Sequence, residues 1–254
     1  MKVLLSINKK FFRLYPKELI SVINTVDFYK EIDGIELSFD DNEYKYAEKI
    51  AKLCLREKLI LNIHAPVYDS AEKYYGFFDE INKIVKIYDN RFINVTFHPI
   101  NNDEQLTIEI LRKIVDYNKK HNYDKTIICL ENLPTFETKR VEDILRTEND
   151  ICFTYDIGHE FVNGIVTENL SKILNERVRD INVHTHIGKV DHCPIKDFTD
   201  EEKNVLNKVK IINEYQSTVV AEYSIDYCNG KTFEKELRSY IEDTIKLKRY
   251  LENK

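Results

Sequence analysis

Residues 126–159 read TIICLENLPTFETKRVEDILRTENDICFTYDIGH. This stretch holds two short apolar runs, and the runs end in acidic residues, Glu131 and Asp156. Apolar runs of this length are typical of β-strands that are buried on both faces, and the longer segment between them has the length of a helix. The stretch therefore predicts a strand, a helix and a second strand, with a carboxylate where each strand ends.

The same unit recurs along the whole chain. Eight apolar runs predict strands, and they begin at Val3, Gly34, Leu59, Phe92, Thr126, Ile151, Ile181 and Thr218. The intervals have helical spacing, as in Phe233, Leu237 and Ile241. Strict alternation without a Gly- or Pro-rich linker predicts an α/β fold, a single closed (β/α)8 TIM barrel that spans residues 1–254 as one domain. The alternative, a doubly wound open sheet, would need a glycine-rich loop after an early strand, and KKFFRLYP contains no glycine.

Composition narrows the functional class. Hydrophobic residues make up 43% of the 254 residues and glycine only 6 positions, which excludes disordered and collagen-like chains. The formal charge of −6 gives no global basic field to attract nucleic acid or an anionic membrane. No stretch approaches the roughly 20 apolar residues of a membrane helix, so a cytoplasmic protein is expected. The sequence carries no signal about the oligomeric state.

The cysteine pattern predicts reduced, mostly buried thiols. The five cysteines are not spaced in pairs, and Cys129 and Cys152 lie inside apolar runs, where a thiol behaves as a small hydrophobe. Cys193, beside His192 in the predicted loop 187–199, is the one candidate for a reactive thiol, but an unreactive thiol is the favoured interpretation there too.

Seven of the eight predicted strands end in a side chain that can bind a metal or transfer a proton. These residues are Glu36, His64, His98, Glu131, Asp156, His184 and Glu222. In a barrel the carboxyl ends of the strands converge on one face, where the active sites of this fold lie. A structural hydrogen bond at the barrel mouth would explain Glu36 equally well.

The last four strands predict a metal site. Glu131, Asp156, His184 and Glu222 would surround a single point, and three carboxylates in a partly desolvated site repel one another. A divalent cation removes that cost, and the oxygen and nitrogen ligands suit Mn, Mg, Co, Fe or Zn.

The strings IHAP, TFHP, LENLP, YDIGH, VHTH and AEYS, in this order and at these spacings, resemble the xylose isomerase-like TIM-barrel superfamily. That superfamily holds sugar isomerases and epimerases together with endonuclease IV-type apurinic endonucleases (AP endonuclease family 2). The resemblance implies that Glu131, Asp156, His184 and Glu222 bind the metal. It implies that His159 contacts substrate in an isomerase or a further metal in an endonuclease.

The first functional hypothesis is a metal-dependent isomerase or epimerase of a small sugar, sugar phosphate or sugar-derived acid, acting by proton transfer through a metal-stabilised enediolate. Glu131 and Glu222 would remove and return the proton on opposite sides of the substrate, which favours epimerisation. A single glutamate acting on one face would interconvert an aldose and a ketose, and a lyase would begin with the same proton abstraction. The residues expected to hold substrate oxygens are His159, His186, Lys189 and His192.

The alternative is a zinc-dependent, endonuclease IV-like enzyme that cleaves DNA at apurinic or apyrimidinic sites. His64 and His98, together with Glu131, could hold a second metal ion beside the first. A barrel that only binds a ligand is a third possibility, which the complete set of four metal ligands disfavours.

The segment after the seventh strand departs from the endonuclease pattern. The full endonuclease set has Asp-x-His there, whereas this chain reads Val190-Asp191-His192. A third zinc held by His159 and His192 would therefore lack its carboxylate, and the acidic net charge also disfavours DNA. The loop 187–199 is expected to close over the site.

Overall fold

The computed structural model describes residues 1–25, 27–40, 43–162, 164, 170–187, 190–196, 198–212, 217–224 and 233–252. The predicted (β/α)8 barrel is confirmed, because all eight predicted strands are present and pair in parallel around a closed ring. The barrel strands are β1 (Lys2–Ile7), β2 (Gly34–Ser38), β3 (Ile60–His64), β4 (Ile93–Phe97), β5 (Thr126–Glu131), β6 (Cys152–Asp156), β7 (Val178–Val183) and β10 (Thr218–Ala221). Their order around the ring is β1-β10-β7-β6-β5-β4-β3-β2.

Helices occupy the intervals between the strands. They are α1 (Lys9–Leu14), α2 (Pro16–Thr25), α3 (Tyr44–Glu57), α4 (Ala71–Ile87), α5 (Glu104–His121), α6 (Thr138–Thr147), α7 (Ile157–Val162), α8 (Lys172–Arg177), α9 (Asp200–Ile212) and α10 (Phe233–Glu252), with a 3-10 turn at Asp27–Lys30. The start of α9 is fixed by reciprocal bonds, from the Glu202 amide to Thr199 Oγ1 (3.2 Å) and from the Thr199 amide to Glu202 Oε2 (2.7 Å). Among the described helices, none has both the length and the apolar character that a membrane span requires.

The hydrophobic core lies between the strands and the surrounding helices. In β4, Phe97 points outward and its ring lies 5.9 Å from Phe78 and 5.3 Å from Tyr74, both in α4. Burying a side chain of this size contributes about 1.5–3 kcal/mol. The outward residues of the strands therefore hold the helices on the barrel, and the inward residues do not take part in this packing.

The interior of the barrel is polar. Thr96 Oγ1 lies 2.8 Å from Thr154 Oγ1, and Asn62 Nδ2 donates to Asp180 Oδ1 at 2.7 Å. These bonds join β4 to β6 and β3 to β7, which are not neighbours in the sheet, so the side chains meet across the interior. The strands are buried on both faces, as predicted, but the inner face is hydrogen-bonded instead of apolar.

The predicted loop 187–199 begins inside a β-hairpin. Strands β8 (Thr185–Ile187) and β9 (Val190–Cys193) pair antiparallel at the mouth of the barrel. The amide of Ser224, just after β10, donates to the carbonyl of His192 at 2.9 Å and ties the hairpin to the barrel. Cys193 is fully buried in this hairpin, which agrees with the favoured prediction of a buried, unreactive thiol.

Candidate metal centre and active site

The strand ends bring most of the predicted ligands together, but Glu36 lies deeper. It is fully buried within the barrel, and Ser6 Oγ donates to its Oε1 at 3.3 Å. Burial raises the pKa of this carboxyl well above its usual range. Glu36 therefore belongs to the hydrogen-bonded interior beneath the site, in line with the structural interpretation of this residue.

The first group of ligands, called here the His64 cluster, consists of His64, His98 and Glu131. One ligand atom from each lies within 4.8 Å of the others. The Nε2 atoms of His64 and His98 lie 3.2 and 2.9 Å from the same oxygen, Glu131 Oε2. The two rings meet edge to face at 4.7 Å. Both imidazole nitrogens and this oxygen thus converge on one point.

The charges in this cluster depend on one another. Burial alone would raise the pKa of Glu131, but the charges and hydrogen bonds of His98 and His64 hold it well below the usual range. Burial likewise lowers the pKa of His64, but the bond and charge of Glu131 raise it to about 10. Without a metal, His64 is therefore an imidazolium paired with a carboxylate.

The second group, the His184 cluster, consists of Asp156, His159, His184 and His192, which also converge within 4.8 Å. His184 Nε2 lies 3.1 Å from Asp156 Oδ1, and His159 Nδ1 lies 3.2 Å from Asp156 Oδ2. The ring of His192 stacks on that of His184 at 4.2 Å. Burial lowers the pKa of His159, but the charges of Asp156 and Glu131 and the bond to the Asn132 carbonyl together raise it above its usual value.

Asn132 positions two of these residues. Its side chain makes two bonds of 2.8 Å to the backbone of Asp156, donating to the carbonyl and accepting from the amide. The carbonyl of Asn132 lies 3.0 Å from His159 Nδ1. The Asn132 side chain thereby makes the two bonds that a backbone partner in the sheet would make. These bonds fix Asp156 at the junction of β6 and α7.

Gly158 explains the spacing between Asp156 and His159. A Cβ atom built at this position would lie only 2.5 Å from His184 Nε2. Only glycine at position 158 leaves room for the imidazole of His184. This lets α7 start directly after Asp156, next to the His184 ring.

The third group, the carboxylate cluster, consists of Glu131, Asp156 and Glu222. Asn182 lies between two of its members and donates through Nδ2 to Glu131 Oε1 (2.7 Å) and to Glu222 Oε2 (3.0 Å). Glu131 and Asp156 are fully buried, and the Glu222 side chain is 16% exposed. One amide thus holds two carboxylates of different strands side by side.

The donor set of the three clusters fits a divalent cation. Glu131 belongs to two clusters and Asp156 to two, so carboxylate oxygens and imidazole nitrogens surround a connected space. Buried carboxylates this close repel unless positive charge lies between them. Mixed oxygen and nitrogen ligands suit Mn, Co, Zn or Mg. The four predicted ligands are all in this space, although His184 and Glu222 belong to different clusters.

A scan of protein-family models and a search of curated proteins gave no match. Solved structures match over nearly the full chain. A sugar phosphate isomerase/epimerase from Parabacteroides distasonis ATCC 8503 superposes with a TM-score of 0.64 at 15% identity, covering 98% of this chain and 92% of that one. D-Psicose 3-epimerase from Clostridium cellulolyticum H10, solved with D-tagatose, gives 0.61 at 12% identity and covers 99% of each chain. A xylose isomerase-like TIM barrel/4-hydroxyphenylpyruvate dioxygenase fusion protein gives 0.57 at 12% identity, covering all of this chain and 44% of that one.

These likenesses show that the chain shares the (β/α)8 barrel fold of the matched structures. Identities of 12–15% establish the architecture alone, and the activity has to be argued from the site.

The structure separates the four predicted substrate contacts. His159 and His192 lie in the His184 cluster, where His192 adopts a left-handed φ of 57°. His186 lies outside the three clusters, with its ring 5.3 Å from that of Phe161. Lys189 lies outside the described residues, so its role as a substrate contact stays a prediction.

Two residues of the site were missed in the sequence. Asn132 stands in the LENLP string directly after Glu131, so its adjacency to a ligand was a usable signal. Asn182 lies inside an apolar run, INVHTH, two residues before His184. Because side chains alternate along a strand, a polar residue two positions from a ligand faces the same interior.

Proposed function

We propose that this protein is a divalent-metal-dependent isomerase or epimerase of a small sugar, sugar phosphate or sugar-derived acid. The observation that carries the proposal is the amide of Asn182 shared by Glu131 and Glu222. Two carboxylates held on separate strands, each beside a metal-binding cluster, are the groups that proton transfer at a carbon next to a carbonyl requires.

Glu131 and Glu222 carry the proton in this proposal. His98 and His64 hold the pKa of Glu131 well below its usual range, although burial alone would raise it. Glu131 is therefore in the carboxylate form that a general base requires. Glu222 is the more exposed of the two and returns a proton from the other side of the substrate. Removal and return by different residues inverts the carbon, so epimerisation is favoured over aldose–ketose exchange.

The metal ligands we propose are Glu131, Asp156, His184 and Glu222, with His64 and His98 next to them. A divalent cation bound there supplies Lewis-acid stabilisation of negative charge that develops on substrate oxygens. His159 and His192 border the same space and are suited to hold hydroxyl groups. His186 and Lys189 remain candidates for more distant contacts.

Solvent exchange tests the proposal directly. The metal-loaded protein is incubated in D2O with pentuloses, hexuloses and their phosphates, and deuterium at the carbon next to the carbonyl is followed by NMR. We expect exchange that Glu131→Gln and Glu222→Gln each reduce by at least about 100-fold. Glu109→Gln is the matched control, because Glu109 is an exposed residue of α5 paired with Lys113. Absence of exchange across the panel contradicts the proposal.

The second candidate is the zinc-dependent endonuclease. It is supported by the convergence of His64 and His98 on one oxygen of Glu131, which provides ligands for a metal beyond the quartet. Zinc pairs of this kind promote phosphodiester cleavage. Two or three zinc ions per chain, together with nicking of a duplex that contains an abasic site, would favour this function. One metal ion per chain with sugar exchange would favour the isomerase.

A further inference from the structure

A pair of thiols lies in the wall of the barrel, two residues below the carboxylate of Glu131. Cys129 in β5 and Cys152 in β6 are direct register partners in the parallel ladder. Cys129 is two residues before Glu131 and Cys152 four residues before Asp156, so both thiols project to the barrel interior. Neither thiol takes part in the proposed isomerase chemistry.

The backbone holds these cysteines at a distance that suits a disulfide. Neighbouring strands lie about 4.7–4.9 Å apart, and disulfides form at Cα separations of about 4.4–6.8 Å. Register partners point to the same side of the sheet, so the Cys129 and Cys152 side chains lie next to each other. A bond between the sulfur atoms therefore requires no shift of the strands along one another.

The two thiols differ in accessibility and acidity. Cys129 is fully buried, whereas Cys152, the first residue of β6, is partly exposed. The neighbouring Cys129 thiol and the positive charges of Arg179 and Arg177 lower the pKa of Cys152 to about 7, against burial and the Asp180 charge. The accessible sulfur is therefore the better nucleophile of the two.

We propose that Cys129 and Cys152 form an oxidation site at which a hydroperoxide converts the thiol pair into a disulfide joining β5 to β6. The Cys152 thiolate attacks one peroxide oxygen, the O–O bond breaks, and hydroxide leaves and is protonated to water. The sulfur, oxidised by two electrons, becomes a sulfenic acid. Cys129 then attacks this sulfur, the S–O bond breaks, and the hydroxyl leaves as water with the Cys129 proton. Two thiols and one H2O2 thus give one disulfide and two water molecules.

The other described cysteines lack this combination. Cys54 is buried in α3, and burial raises the pKa of its thiol to about 12. Cys193 is fully buried in the β8–β9 hairpin. Cys228 lies outside the described residues, so the test has to account for it separately.

The test is peptide mapping of the full chain after treatment with one equivalent of H2O2. Trypsin releases Cys129 in residues 126–139 and Cys152 in residues 147–172. We expect these two peptides to be linked in the unreduced digest, with the intact protein lighter by about 2 Da, two hydrogen atoms. Cys228→Ser is the control variant and should give the same linked pair.

Two variants separate the roles of the sulfur atoms. In Cys129→Ser, the sulfenic acid at Cys152 has no thiol beside it and should be trapped by dimedone. In Cys152→Ser, Cys129 should remain unmodified at the same H2O2 concentration. Alkylation of Cys152 by iodoacetamide in the untreated protein should reach half its maximal rate near pH 7.

Three outcomes overturn the proposal. These are unreacted Cys129 and Cys152 in the wild-type digest, Cys152 linked to any cysteine other than Cys129, and oxidation of Cys129 in Cys152→Ser as fast as in the wild type. The wild-type map decides the first two even if a variant fails to fold.

Discussion

Gly158 packs so closely against His184 that a methyl group at position 158 would lie 2.5 Å from the ring nitrogen Nε2. Gly158→Ala should therefore displace the imidazole or the start of α7. We expect the free energy of unfolding to fall by about 1–3 kcal/mol, the usual cost of overpacking. Metal affinity should fall as well, because His184 can no longer lie beside Asp156. Denaturant titration and metal calorimetry measure the two effects.

Gly76→Ala is the matched control for this substitution. Gly76 lies within α4, and a Cβ atom there meets nothing within 4 Å. Alanine in a helix interior is about 0.5–1 kcal/mol more stable than glycine. Gly76→Ala should thus stabilise the protein slightly and leave metal affinity unchanged. Equal effects of the two substitutions would show that the His184 contact has no importance.

Asn182→Asp should be strongly destabilising at neutral pH. The substitution replaces the amide that donates to Glu131 and Glu222 with a third carboxylate between them. An uncompensated buried charge costs about 3–5 kcal/mol. The loss should shrink as the pH falls to 5, because the site then takes up a proton. Asn207→Asp, on the exposed face of α9, should leave unfolding nearly unaffected, and a similar loss in that control would refute the explanation.

Asp180 should make stability depend on pH. Burial raises its pKa from 3.8 to about 6 in the folded protein. Between these values the folded state holds a proton that the unfolded chain has lost, so stability falls as the pH rises, by up to about 3 kcal/mol. Asp180→Asn should remove this component and be more stable than the wild type at pH 7. The exposed substitution Asp116→Asn is the control, and parallel pH curves for the wild type and Asp180→Asn would contradict the prediction.

Metal uptake should release protons. In protein stripped by a chelator, His64 is protonated, with its pKa raised to about 10 by Glu131. A cation at the His64 cluster needs the neutral imidazole, so its affinity should rise with pH between 6 and 9. Calorimetry in buffers of different ionisation enthalpy counts the protons released, and His64→Gln should lower this number by about one. His121→Gln, at the exposed end of α5, should not change it.

The barrel and the identity of its strand-end residues were predictable from the sequence. Each strand is buried on both faces, so it appears as a short apolar run, and parallel strands bring their carboxyl ends to one side. Glu131, Asp156 and His184 could therefore be assigned to one site although 53 positions separate the first from the last. This assignment depends only on the strand topology, which follows from the alternation of apolar runs and helical segments in the sequence.

The grouping of the site residues into three clusters was not predictable from the sequence. Stacking of His192 on His184 depends on the β8–β9 hairpin and on a left-handed φ at His192, and the VDHC segment was assigned to a loop. The polar interior was also missed, because Asn62 lies inside an apolar run, Asp180 directly precedes the run that begins at Ile181, and the two residues meet only across the closed barrel.

The bonds of Asn132 have a mechanical consequence. They tie the tip of β6 to the segment after β5, at the end of the pair that carries Glu131 and Asp156. The register between these strands includes Cys129 and Cys152, two residues below Glu131. The two strands therefore form one hydrogen-bonded unit of the barrel wall. A shift of one strand against the other at the cysteine pair would change the orientation of the Glu131 and Asp156 carboxylates.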